Sequence, residues 1–201
     1  PHHRAPDKRP ARRLKMIHEA GELRIPFTTG ILIGIGETRR ERIESLLAIR
    51  ELHERHGHIQ EVIVQPFRRK ETIPMAEAPE PDPEDLLWTV AVARLVMGPE
   101  VSVQSPPNLH PEGLENLLAA GLNDFGGISP VSADYVNPEA PWPHIERLAE
   151  RCARRGFTLG ERLAIYPAYV ERPGFLSEQL RPATQALLEQ LRPMTPEAVT
   201  R

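Results

Sequence analysis

Cysteine is almost missing from this chain: Cys152 is the only one in 201 residues. No disulfide can form within it, and no set of thiolates is at hand for a zinc site or an iron–sulfur cluster. Cys152 falls in a helical stretch beside Arg151, Arg154 and Arg155, and it reads as a partly buried structural thiol rather than a nucleophile. No apolar run reaches membrane-spanning length, and no signal-peptide pattern is present, so a cytoplasmic protein without a membrane partner is expected. An excess of positive charge is also absent. The formal net charge of -3 and a pI near 6.3 argue against a general nucleic-acid binder. His2 and His3 are neighbours and rarely share one face toward an ion. No cluster with ligand spacing follows them, so no residue is assigned to a metal. Lys8, Arg9, Arg12 and Arg13 read as a solvated helix face. The chain opens at Pro1, without methionine, on a polar proline-bearing segment, and further residues upstream are expected.

What is present alternates. Helical spacing or caps mark 10–20, 39–56, 83–97, 111–120 and 144–155. Apolar β-branched runs mark strands within 23–35, at 61–65 and 101–104, and the alternation with helices places a short one at 122–125. Ile31, Leu32, Ile33 and Ile35 suit a strand buried on both faces. Long loops cover 66–82 and 129–143. Such alternation predicts an α/β fold with a parallel sheet and helices outside. A doubly wound sheet and a (β/α) barrel both fit. The polar residues decide for the barrel, because they gather just after each strand, where a barrel builds its C-terminal face. Four strand–helix units make half a barrel. Residues 1–180 are therefore expected to be the second half of a TIM-type barrel, and 181–201 a C-terminal helix, tail or linker.

Three segments can carry chemistry. Gly30 to Glu37 ends a strand in spaced glycines. Gly34 and Gly36 suit close approach of a ligand, or they serve a tight turn alone. Gln65 ends the next strand, where it faces a ligand or satisfies loop amides. Gln104-Ser105-Pro106-Pro107-Asn108 places amides at both ends of a stiff loop, suited to a heterocycle rich in carbonyl and N–H groups. Asn108 can instead cap the following helix. Asn123-Asp124-Phe125-Gly126-Gly127-Ile128-Ser129 puts a polar pair at the end of an apolar strand, which is costly without partners. Those partners are a ligand or loop amides.

Seven segments in order resemble one family: P-H-H-R-A-P-D-K-R-P, P-F-T-T-G-I-L-I-G-I-G-E-T, I-Q-E-V-I-V-Q, P-P-N-L, N-D-F-G-G-I-S-P, V-N-P-E-A-P-W-P and E-R-L-A-I-Y-P. The chain resembles the ring-closing part of the radical S-adenosylmethionine 7,8-didemethyl-8-hydroxy-5-deazariboflavin (FO) synthases, as a separate subunit or the N-terminal half of a fused enzyme. Gly30, Leu32, Gly34 and Glu37 match the superfamily pattern G-x-I-x-G-x-x-E with Leu for Ile, and Phe125 stands where the family usually has Trp.

The resemblance implies S-adenosylmethionine and a [4Fe–4S] cluster as cofactors, with the cluster's C-x-x-x-C-x-x-C loop upstream. It implies a lyase that closes a tyrosine-derived 4-hydroxybenzyl–ribityl-diaminouracil adduct to FO with loss of ammonia. A partner synthase subunit or fused domain and an external electron donor are implied too. On the matched positions, Gly30, Gly34, Gly36, Glu37 and Gln65 would line the cofactor, and Gln104, Asn108, Asn123, Asp124 and Ser129 the substrate, with Asn108 and Asp124 closest to the chemistry. A menaquinone-pathway or biotin-synthase-like enzyme of the same superfamily, or a non-catalytic barrel fragment acting as a binding module, are the competing readings.

Overall fold

The computed structural model describes residues 2, 5–129, 131–191 and 193–194. Arg4 and Pro130, which fall in the quoted segments, lie outside the described residues, as do His3 and the end of the tail.

Helix α1 (Pro10–Glu22) leads into strand β1 (Phe27–Ile33), helix α2 (Arg39–His56), strand β2 (Ile59–Pro66), helix α3 (Pro83–Met97) and strand β3 (Ser102–Gln104). Local chemistry fixes these limits. Thr38 and Glu41 form a reciprocal capping box at the start of α2, and Gly57 ends it in the left-handed region at φ 63°. Asp82 accepts from the Glu84 amide at 2.7 Å and Pro83 takes the first turn, which starts α3. The three strands pair in parallel in the order β1-β2-β3. Their shared hydrophobic side carries Ile33, Val62, Val64 and Val103, all shielded from water by α1 to α3 through Ile17, Leu46, Ile49 and Val90. This is an α/β fold with a parallel sheet, consistent with part of a TIM-type fold.

Three expectations are corrected. Residues 122–125 form no full strand: they meet β3 only at one parallel bridge, Gln104 to Asp124. With a partner on one side only and glycines following, the ladder does not extend. Helix α4 spans Leu114–Ala119 and α5 Ile145–Ala153, both shorter than the sequence suggests, because Gly113 and His144 occupy the N-cap positions. Finally, β1 is not buried on both faces. Leu32 is 38% exposed, and Thr28 and Gly30 on the same face are exposed too. That face is therefore open among the described residues.

Beyond α5, a two-residue strand β4 (Leu159–Gly160) pairs antiparallel with β5 (Pro193–Met194), with helices α6 (Pro167–Glu171) and α7 (Arg181–Gln190) between them in the chain. Helix α5 is tied to α4 by a two-pronged ion pair, Arg151 to Glu115 at 2.7 and 2.5 Å. The Arg151 guanidinium draws the Glu115 carboxyl down to about 2 from its usual 4.5. A depressed carboxyl stabilises the fold above its unfolded value and loses that contribution as pH falls toward 2. Glu115→Gln should therefore flatten the acid limb of a urea-midpoint series below pH 4.5, and an unchanged limb would show the pair to be idle.

Candidate functional site

The turn after β1 is built around Glu37. Its two carboxylate oxygens accept from the Gly34 and Ile35 amides, both at 2.8 Å, and Arg42 Nε reaches it at 2.7 Å. Burial pushes this carboxyl up, but the amides and Arg42 outweigh it and hold it below the usual range. Arg42 is itself buried and continues to Asp85 and to Thr89 Oγ1 at 3.1 Å. Gly34 has φ 87°, and a Cβ there would meet Pro81 at 2.6 Å, so the 67–82 loop can cross the turn only over glycine. Gly36 has φ 103° with open space beside it. In contrast, Gly30 lies inside β1, where a Cβ would meet the Ile63 carbonyl oxygen at 2.2 Å. Its need for glycine arises within the sheet.

Gln65 is half-buried near the end of β2, on the open face opposite Leu32. Gln104 lies on the same face through its register with Ile63. Its amide nitrogen lies against Gly126, where φ is 69° and a Cβ would come within 2.1 Å. Among the described residues, the segment from Gln104 onward leaves buried polar atoms without a protein partner: Gln104 Oε1, Ser105 Oγ, Asn108 Oδ1 and His110 Nε2. Buried groups of this kind call for a ligand or water. The Asn108 amide nitrogen is already engaged, by Asp134 at 2.9 Å and the Ala140 carbonyl at 3.0 Å, so Asn108 also latches the 129–143 loop. Ser129 begins that loop and accepts from the Ser132 amide at 3.1 Å.

Asn123 turns the other way. Its oxygen accepts from the Val103 amide at 2.8 Å and from Arg94 at 2.7 Å, on the side of α3. Asp124 points to the opposite side, into a dense polar node. Arg162 grips both its oxygens, at 2.5 and 2.9 Å, while Tyr166 OH and the Gly126 amide each donate at 2.7 Å. Arg162 also reaches Glu61 of β2 at 2.9 Å and stacks over the Tyr166 ring at 4.4 Å. A register shift at the start of β1 and β2 leaves Gln60 as an extra residue, which bonds the Ala164 carbonyl at 2.9 Å and the Tyr166 amide at 3.1 Å. A cavity of 700 Å³ opens here, lined by Ser102, Asp124, Phe125, Arg162 and Tyr166 among others.

Glu37 thus follows β1, Asn108 follows β3 and Asp124 sits at the bridge beside β3, and each side chain is committed to a different partner. Sequence reasoning missed Glu61, Arg162 and Tyr166. One signal was available: a carboxylate inside the apolar run I-Q-E-V-I-V needs a buried partner.

Relatives give these positions a context. The chain is 60% identical over 172 residues to a 7,8-didemethyl-8-hydroxy-5-deazariboflavin synthase of Methanopyrus kandleri, covering 86% of this chain and 51% of that protein. This chain is homologous to part of the FO synthases. A 7,8-didemethyl-8-hydroxy-5-deazariboflavin synthase of Methanothermobacter thermautotrophicus is 50% identical over 192 residues, 96% of this chain and 57% of the relative. An "FO synthase" of Streptomyces avermitilis is 48% identical over 190 residues, 94% of this chain but 22% of the relative. The chain therefore spans about half the length of the first two FO synthase relatives and less of the third. No family model matches it. Among the described residues no helix is long and apolar enough to cross a membrane.

Proposed function

We propose that residues 1–180 of this chain are the second half of the radical S-adenosylmethionine barrel of an FO synthase. The whole protein would then be the cytoplasmic lyase that closes the 4-hydroxybenzyl–ribityl-diaminouracil adduct to FO with loss of ammonia. The observation that carries this reading is the 60% identity over 172 residues to a protein of that name. The polar groups that follow β1 and β3 support it, since a barrel builds its site at the C-terminal ends of its strands. The other superfamily enzymes and the binding-module reading find no support in the names of the relatives.

S-adenosylmethionine and a [4Fe–4S] cluster belong to this reading, and the two fare differently against the residues present. The single cysteine is buried in α5 beside Arg151, so this chain supplies no thiolate set for a cluster. The Gly34–Glu37 turn is better suited to its part. Open space beside Gly36 and a carboxylate that locks the turn fit one wall of an adenosyl pocket, with Gly30 and Gln65 behind it. The unpartnered oxygens of Gln104, Ser105 and Asn108 suit the N–H and O–H groups of a diaminouracil carrying a ribityl chain. Asp124 presents a held, charged carboxylate across the bridge from Gln104, Ser129 starts the 129–143 loop, and Asn123 ties this segment to β3 and Arg94. The task of these groups is to hold the adduct and keep water away. An external electron donor and a partner subunit or fused half complete the proposal.

The test is expression of the protein that carries this chain, with its partner half, in a host that makes no deazaflavin. Fluorescent FO in the medium is the expected result. Its absence, with both proteins present and the cluster loaded, would overturn the reading.

A further inference from the structure

The node around Asp124 holds two carboxyl groups and one guanidinium. Asp124 accepts four hydrogen bonds: two from Arg162, one from Tyr166 and one from the Gly126 amide. Glu61 is more deeply buried, at 6% side-chain exposure against 10%, and receives less: Arg162 Nη2 at 2.9 Å and Thr28 Oγ1 at 3.0 Å. The phenol of Tyr166 lies between them, 2.7 Å from Asp124 Oδ2 and 3.2 Å from Glu61 Oε1. It has one hydroxyl hydrogen, and the shorter contact takes it. The longer contact then has no hydrogen of its own from Tyr166, and a proton on Glu61 would supply one. Two carboxylates this close, sharing one cation away from water, do not both ionise readily.

We infer that Glu61 carries a proton in the resting protein, and that Tyr166 relays it to Asp124. In the transfer, the Glu61 O–H bond breaks as its proton passes to the Tyr166 oxygen. The Tyr166 hydrogen passes to Asp124, forming a new O–H bond there. Tyr166 ends as it began, no electrons change hands, and the negative charge moves from Asp124 to Glu61. Arg162 touches both carboxyls and remains paired in either state. Asp124 lines the cavity and can then protonate a departing nitrogen. This last use rests on the proposed function, because ring closure there releases ammonia; the resting proton on Glu61 does not.

The groups facing the pair come from every neighbouring element: Thr28 of β1, Ser102 of β3, Asp124 itself, and Arg162 and Tyr166 of the 160–167 segment. Their effects agree. Burial and then the Asp124 charge push the Glu61 carboxyl up. Burial also pushes Asp124 up, but Arg162, the Gly126 amide and Tyr166 outweigh it and bring it below its usual range.

Carbon-13 NMR of glutamate carboxyls in the intact protein tests the resting proton, with the Glu61 signal assigned by its loss in Glu61→Gln. A neutral Glu61 at pH 6 is expected, and in Asp124→Asn its titration should fall toward the ordinary range as Arg162 becomes its partner alone. An ionised Glu61 at pH 6 would overturn the inference while leaving the FO reading intact. The relay is tested by turnover. Glu61→Gln and Tyr166→Phe should each slow FO release by at least about tenfold, within the range of a lost acid–base group. The double variant should be no slower than either single one, because both break one path. Multiplying losses would mean two separate structural roles and end the relay. If the unmodified protein makes no FO at all, the proposed function fails and the NMR result still decides the proton.

Discussion

Arg162→Met should lower the unfolding free energy by about 3–5 kcal/mol, because it strips the counterion from the buried Asp124 carboxylate and a hydrogen bond from Glu61 beside it. For a chain of this size that is a fall of about 6–20 °C in melting temperature. The loss should depend on pH. Asp124 owes its lowered pKa in large part to Arg162, and that contribution is present above the ordinary aspartate value and vanishes as pH falls through the folded one. Glu61 works in the opposite sense, since its raised carboxyl favours the fold most below the ordinary glutamate value. The gap between wild type and Arg162→Met should therefore narrow as the solution is acidified past the point where Asp124 gains a proton. Calorimetry at a series of pH values measures it. A variant within about 1 kcal/mol of wild type at neutral pH would show that the node is no stronger than a surface ion pair.

Arg42→Met should cost about 3 kcal/mol and loosen the turn after β1. Arg42 is 6% exposed and joins Glu37 to Asp85. Without it Glu37 keeps its two amide bonds but loses its charge partner, while Asp85 retains Arg39 at 2.8 Å. Hydrogen exchange at the Gly34 and Ile35 amides reads the effect locally. Both should exchange faster in the variant, whereas Arg39→Met, at a 55% exposed side chain, should leave them alone and cost under about 1 kcal/mol. Unchanged protection in Arg42→Met would mean that Glu37 holds the turn by itself.

Much of the scaffold can be read from local signals. Helices α2 and α3 run from Arg39 to His56 and from Pro83 to Met97, as their caps and spacing require, since Thr38, Gly57, Asp82 and Gly98 act on their nearest neighbours. The parallel order of β1, β2 and β3 follows from the alternation with helices. Residues 122–125 read as a strand because they fill the strand place in the alternation between two helices, while ladder formation depends on what lies on both sides. The site was legible as a set of positions but not as a set of bonds. Nothing local tells that Asn123 turns to Arg94 while Asp124 turns to Arg162, 38 residues away. Glu61 and Arg162 are 101 residues apart, and their pairing is a product of the fold. The segment E-R-L-A-I-Y-P was visible as part of a resemblance, yet its arginine and tyrosine had no assigned task until the structure placed them against the sheet.

This placement also changes how Asp124 should be probed. Asp124→Ala would leave Arg162 unbalanced and lower stability along with activity, so it cannot separate the two. Asn108→Ala is cleaner, because Asn108 holds a loop and offers an unpartnered oxygen without a buried charge. The most direct measurement is anaerobic turnover of the whole protein that carries this chain, reconstituted with iron and sulfide, given S-adenosylmethionine, reductant and the adduct. FO is read by fluorescence and 5'-deoxyadenosine by chromatography. The account predicts both products from the unmodified protein. From Asn108→Ala it predicts a loss of FO on the order of a hundredfold with continued 5'-deoxyadenosine release, as expected when a bound reactant is misplaced. Equal FO yields from the two proteins would contradict a substrate-holding role for the segment after β3, and no FO from either would contradict the central claim.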